Sequence, residues 1–231
     1  MDTSTITKKS GVLPVPKTAH KAAIREANVR KILAAATRCF AINGFKGTST
    51  GDIARLVNLP KSNVHYYFPS KQDLYLEVLK TTAEAWMQDA DVFLSEHDPA
   101  QSLMHYITQK CRASLENPEG SRLWANEVIS GAPFVSDYIT SEVKPWLDQC
   151  VAVIEQWQRD KLIEPVDGRQ LMYMIWASTQ HFADFAAQIK LLGDKDQSWE
   201  SQVQDGHRTL VTILLRGLGL TAPETIPDFT V

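Results

Sequence analysis

Apolar residues near the start of the chain recur at helical rather than strand spacing. Val29, Ile32, Leu33, Ala36 and Phe40 fall at i, i+3, i+4, i+7 and i+11, one stripe of an amphipathic helix. Asn43 and Gly44 stop it, glycine being suited to a left-handed C-terminal position. Ser49 with Asp52 three residues later resembles a capping box and opens a short second helix through Val57. Asn58 tolerates the left-handed conformation of a tight turn, and Pro60 can begin the next helix without losing a needed N–H. A third helix is therefore predicted over Lys61–Phe68. Pro69 and Ser70 interrupt the pattern, and a fourth helix is predicted over Lys71–Ser95.

Further helical stretches are predicted near 99–116, 119–130, 134–160, 168–191 and 196–217, separated by Pro118, Gly131-Ala132-Pro133, Pro165 to Gly168 and Gly193. The pattern implies an all-α protein of about nine helices with no convincing strand. Pro145 lies inside the seventh and should kink or divide it. Residues 1–22 read as a flexible basic arm, 23–71 as a compact helical domain, 72–219 as a larger one, and the proline-containing segment 220–231 as a frayed tail.

Charge sharpens this division. Residues 1–71 carry 12 Lys and Arg against 3 Asp and Glu, whereas the rest carries 12 against 24, so net charges of +9 and −12 hide beneath an overall −3. A basic block joined to an acidic remainder implies that one end meets a polyanion. The three cysteines, Cys39, Cys111 and Cys150, lack CxxC spacing, which argues against a disulfide framework or zinc site and for a reducing cytoplasm. No run approaches the roughly 20 apolar residues of a membrane span, and "GVLPVP" replaces the continuous apolar segment of a signal peptide. A cytoplasmic protein without a membrane partner, cofactor or metal is expected.

Two short helices joined by a tight turn behind a longer helix, all within the basic block, form a helix-turn-helix pattern. In the third helix Val64 and Phe68 can pack inward against Ile53, Ala54 and Leu59, leaving Ser62, His65 and Tyr66 outward beside Lys61 and Asn63. Lys61 suits a phosphate or guanine edge, and Asn63 suits adenine or a phosphate. Tyr66 and Tyr67 offer hydroxyls to phosphates and rings to sugars, although Tyr67 equally suits the core joining helices 3 and 4. Lys71 is positioned for a phosphate; Ser49 and Thr50, opening helix 2, complete the candidate DNA contacts.

At these residues the sequence resembles a known family. "FAINGFKGTSTGDIARLVNLPKSNVHYYFPSKQDLYLEVL" is similar to the N-terminal domain of TetR-type bacterial transcriptional regulators through Gly44, Phe45, Thr48, Ser49, Ile53, Ala54, Tyr66, Tyr67, Phe68, Lys71 and Leu74. Val57-Asn58-Leu59-Pro60 departs from the usual Ala-Gly-Val-Ser. The resemblance implies an all-helical homodimer with a small-molecule effector, joined through the last two long helices of each subunit. Such a dimer would read a near-palindromic double-stranded operator and be nucleoid-associated when bound to it. "SRLWANEVISGAPFVSDYI", "IEQWQRDKLIEPVD" and "IWASTQHFADFAAQ" further resemble the C-terminal domain of a pyrimidine-responsive branch of that family, implying an effector such as uracil or thymine.

The last of these segments can be read independently. At about 100° per residue, Gln180, His181, Asp184 and Gln188 fall on one polar arc, with Tyr173. Leu171, Ile175, Phe182 and Phe185 form an aromatic-aliphatic face suited to the core. Met172, Thr179, Ala183 and Ala186 form a small-residue face that would admit a second helix at a dimer seam. The polar arc has two readings: hydrogen bonds to solvent or across the seam, or a pocket in which Gln180, His181 or Asp184 pairs with a planar amide. Trp86, Trp124 and Trp176 are candidate pocket walls or plain core, and Glu127, beside Trp124, is a candidate pocket carboxylate or a surface residue. An enzyme is not expected, because His181 and Asp184 are joined by no nucleophile motif, HExxH or phosphate-binding loop.

Overall fold

The computed structural model describes residues 17–88, 98–194 and 196–229, with side chains described from residue 21 onward. Among these residues every regular element is helical: α1 (Lys17–Gly47), α2 (Thr50–Leu56), α3 (Lys61–Tyr67), α4 (Lys71–Gln88), α5 (Pro99–Glu116) and α6 (Pro118–Ile129). There follow α7, a composite of Ser136–Tyr138, π-helical Ile139–Val143 and Lys144–Arg159, then α8 (Gly168–Asp184), α9 (Ala186–Leu192) and α10 (Trp199–Gly217). Residues 1–16 of the expected arm, and the predicted end of the fourth helix towards Ser95, lie outside the described residues. Residues 17–22, expected in the arm, belong to α1.

Local chemistry accounts for the boundaries. Gly44 interrupts α1 at φ 68°, ψ 175°, a region essentially closed to residues with a Cβ. Ser49 caps α2 by accepting from the Asp52 N–H at 3.1 Å, while its hydroxyl donates to the Asp52 carboxylate at 2.6 Å. Asn58 takes the left-handed turn at φ 53°. Pro145 marks a change of helix type rather than a gap: it lacks the N–H that an unbroken α-helix would offer the Ser141 carbonyl, and the wider π turns end just before it.

Two expectations fail. The helix predicted over 168–191 is divided at Phe185, whose φ −114°, ψ 25° leaves the helical basin. The tail is docked rather than frayed through residue 229. Phe229 is buried against His207, with 5.0 Å between ring centroids, and Leu220, Ala222 and Ile226 pack on the core. Arg208 pairs with Asp228 at 2.5 Å, and Gln204 donates to the Phe229 carbonyl.

Two buried clusters organise the chain. One joins α1 to α4 through Ile32, Phe40, Ile53, Val64, Leu74 and Val78, and extends to Leu123 of α6 and Val135 and Tyr138 of α7. The other joins α5, α7, α8 and α10 through Tyr106, Ile107, Ile154, Met172, Ile175, Val211 and Leu215. Burial of each such aliphatic or aromatic side chain contributes roughly 1.5–3 kcal/mol. The expected boundary after Lys71 is thus no break in packing, because α4 and α6 both enter the N-terminal cluster.

Candidate functional site

The outer surface of α3 is polar while its inner side is buried. Val64 and Phe68 fill the N-terminal core, leaving Lys61, Ser62, Asn63 and Tyr66 exposed, with Tyr66 at 76%. His65 is half-buried between α2 and the α3–α4 turn. Its Nε2 lies 3.3 Å from the Thr50 hydroxyl and its Nδ1 lies 3.3 Å from the Pro69 carbonyl. A carbonyl only accepts, so the tautomer that satisfies both contacts carries the proton on Nδ1. Thr50, expected at the DNA face, is instead buried and holds His65; Ser49 is exposed while capping α2. Tyr67 is half-buried and accepts from the Asn28 amide at 3.3 Å, consistent with its packing alternative.

Lys71 corrects the expectation of a phosphate contact. Its Nζ donates to the carbonyls of Phe45 at 2.8 Å and Thr48 at 3.0 Å, and lies 4.4 Å from the Phe45 ring centroid. The ammonium therefore satisfies carbonyls left over where α1 ends, a favourable position for a cation. Thr48 is itself buried, its hydroxyl near the carbonyls of Cys39 and Gly44.

A second candidate region lies where α4, α5, α6, α7 and α8 meet. Trp86 and Trp124 stand edge to face at 6.0 Å, Trp146 and Trp176 stack at 6.0 Å, and Gln180 completes the wall of a cavity of about 50 Å³. That exceeds the roughly 10–15 Å³ one water requires. The Trp176 indole N–H donates to the Tyr106 hydroxyl at 2.9 Å, and Lys110 Nζ lies 3.6 Å from the Trp86 centroid. Lys110 is 2% exposed. Tyr106, Lys110 and Trp146 were not legible as cavity residues, because Tyr106 and Lys110 share one stripe of α5 while Trp146 and the other indoles lie on other helices, and only tertiary packing brings them together.

The remaining candidates separate. Glu127 is only 4% exposed but faces away from the cavity, accepting from the Tyr75 hydroxyl at 3.1 Å and the Phe134 N–H at 2.7 Å. It ties α4 to the α6–α7 turn, and the pocket-carboxylate expectation is corrected. Asp184 accepts from the Ser121 hydroxyl at 2.7 Å. Burial pushes its carboxyl above the ordinary range, against the opposing effects of that bond and of Lys110, Arg122 and His181. His181 is exposed and stacks on Phe185 at 4.9 Å. The three polar residues of one arc thus face a cavity, a neighbouring helix and the exterior.

The faces of α8 also differ from expectation. Met172, Thr179 and Ala183, expected at a dimer seam, are buried inside the subunit, and Phe185, expected in the core, is 49% exposed. The outward stripe is Met174, Ala177, His181 and Phe185. It adjoins Gly206, Thr209 and Ile213 of α10 across a shallow groove of about 480 Å³. Gly206 is required there because a Cβ would meet the Phe182 ring at 2.3 Å.

Comparison with known proteins follows this division. Residues 32–78 match the model of "Bacterial regulatory proteins, tetR family", and residues 79–221 match that of "YcdC-like protein, C-terminal region". The HTH-type transcriptional regulator RutR of Escherichia coli K12 is 38% identical over 164 residues, covering 71% of this chain and 77% of the relative. A regulator of the tetR family from Rhodococcus RHA1 superposes with a TM-score of 0.66 at 16% identity, covering 84% of this chain and 97% of that one. AibR, in a complex with isovaleryl coenzyme A and operator DNA, superposes at 0.62 and 14% identity, covering 80% of this chain and 96% of that one. These structural likenesses carry the fold.

Proposed function

Because the chain belongs to the tetR family of bacterial regulatory proteins, we propose that it is a cytoplasmic repressor whose hold on operator DNA is released by a small planar effector. The observation that carries this reading is the span of α4. Lys71 at one end anchors the turn beside α3, and Trp86 near the other forms a wall of the aromatic cavity. The 15 steps between them correspond to about 22 Å of helix. A ligand that moves the Trp86 end therefore acts on the element attached to the DNA-reading helix. Its effect on DNA affinity is limited to its differential affinity for the two arrangements.

On the DNA side, Lys61, Ser62, Asn63 and Tyr66 of α3 enter the major groove, with Ser49 and Tyr67 at its phosphate border. Two copies join through the outward stripe of α8 and α10, whose apolar and small residues suit close helix packing, and read a near-palindrome. The effector is a pyrimidine base such as uracil or thymine. Its flat ring suits contact with the indoles that line the cavity, and its imide edge suits the donor and acceptor of Gln180. The likeness of the C-terminal region to RutR supports this choice. Fluorescence anisotropy with operator-length fragments from around the protein's own gene tests the reading: a specific complex forms and dissociates as uracil or thymine is added. Specific DNA binding that no nucleobase weakens would leave a DNA-binding dimer and remove the pyrimidine effector.

A further inference from the structure

We propose that the N-terminal turns of α1 form a second DNA-contacting surface, in which Lys21 and Arg25 bind backbone phosphates beside the groove entered by α3. The inference rests on the chain being an operator-binding protein. α1 begins well before the core does: Ile32 is its first buried residue among those described, and residues 21–26 are all exposed. Ala22, Ala23 and Ala27 are strong helix formers, which favours helix here without packing. All of these residues lie ahead of residue 32, where the family match begins.

The helix period gives the direction of the projecting turns. At about 100° per residue, and taking Ile32 as zero, Lys21, Arg25 and Asn28 fall at about −20°, +20° and −40°. The stripe that is core from Ile32 to Phe40 therefore continues outward as a polar and basic one. Asn28 ties that stripe to α3: its amide donates to the Tyr67 hydroxyl at 3.3 Å, and the Tyr67 ring stands 5.2 Å from that of exposed Tyr66. Arg25 and Lys21 follow about 4 Å and 10 Å further along the axis. Glu26, the one acid of α1, falls about 120° from Ile32, and it pairs with Arg30 at 3.7 Å. A line thus runs from the outer side of α3 through Tyr66, Tyr67 and Asn28 to two cations that no acid of their own helix faces. Continuity with α3 selects DNA as the polyanion, and long cationic side chains at the border of the groove suit phosphates.

Anisotropy titrations of the full chain on the operator fragment at several salt concentrations test this. Replacing both residues, Lys21→Gln with Arg25→Gln, keeps helix propensity and should leave the melting temperature unchanged, since both are exposed. Operator binding is expected to weaken at least about tenfold, and the log–log salt slope to flatten by about 1.8 per subunit, two phosphates at about 0.9 each. The ratio of operator to scrambled-sequence affinity should not change, because phosphate contacts carry no sequence information. An unchanged slope would overturn the inference and leave these turns as a solvated helix. A changed sequence preference would overturn it in favour of base contacts. Equal flattening by Arg30→Gln, about 160° from Ile32 on the same helix, would replace the stripe by a general effect of charge. Absence of specific binding by the unaltered protein would instead overturn the operator-binding reading itself.

Discussion

Lys71 donates to the backbone of the residue whose ring it covers: its Nζ lies 2.8 Å from the Phe45 carbonyl and 4.4 Å from the Phe45 centroid. The contact joins the start of α4 to the end of α1. Lys71→Met should therefore lower stability by about 1–3 kcal/mol, the scale of hydrogen bonds to a charged donor, as read by urea denaturation. The salt dependence of DNA binding by the folded variant should keep its slope. A slope reduced by about one per subunit would show a phosphate contact instead.

Lys61 has the opposite expectation. It is exposed at the start of α3, so Lys61→Ala should leave the melting temperature within a degree or two, the usual scale of a surface substitution. Operator affinity should fall. If Lys61 pairs with a phosphate, the log–log salt slope also flattens by about 0.9 per subunit. Anisotropy titrations at several salt concentrations separate this from a base contact, which changes affinity at one operator position.

Gln180 and His181 are neighbours in sequence with different surroundings, and their substitutions should separate accordingly. Gln180→Ala is expected to abolish ligand-induced release while leaving operator binding intact. His181→Ala should instead weaken self-association in sedimentation measurements without changing ligand affinity. An unaltered dimer with lost ligand response in His181→Ala would return that residue to the pocket.

Glu127 tests whether a buried carboxylate is structural. Glu127→Ala leaves the Phe134 N–H and Tyr75 hydroxyl without their acceptor, which should cost about 1–3 kcal/mol per buried group. Denaturant unfolding checks the loss, and calorimetry should show unchanged ligand affinity for the folded fraction.

His207 predicts an acid-side dependence. Its Nε2 lies 2.9 Å from the Thr108 hydroxyl and its Nδ1 has no hydrogen-bond partner, so protonation would bury an unpaired donor. Burial, with the charge of Arg208 adding and that of Asp228 opposing, lowers its pKa from 6.5 to about 4. Between these values the unfolded chain binds the proton and the folded one does not, so stability rises with pH across the window and is lost as pH falls through it. At about 1.36 kcal/mol per unit, the contribution is at most about 3 kcal/mol. His207→Gln should flatten unfolding free energy against pH over that range.

The DNA-reading half was legible because its determinants are local. Apolar spacing, the Ser49 cap and the Asn58 turn lie within a few residues of what they control. Lys71 was not, since the carbonyls that receive it are 23 and 26 residues away in sequence. Lys110 gave no local signal either, because its burial depends on indoles from other helices. The docking of Phe229 depends likewise on His207, on a helix that the tail's own composition does not reveal. For α8 the angular pattern placed Leu171 and Ile175 correctly in the core but put Met172, Thr179 and Ala183 at a seam rather than inside the subunit and Phe185 in the core rather than outside, since periodicity defines a face and not what covers it.

Four of the six tryptophans, Trp86, Trp124, Trp146 and Trp176, surround the same cavity, so the protein contains its own optical probe. Their emission should be dominated by the environment of that one chamber, with Trp157 and Trp199 as background. Occupancy and the movement of α4 can then be followed by stopped-flow fluorescence on the unlabelled regulator, and the order of ligand entry and DNA release read from the delay between emission and anisotropy.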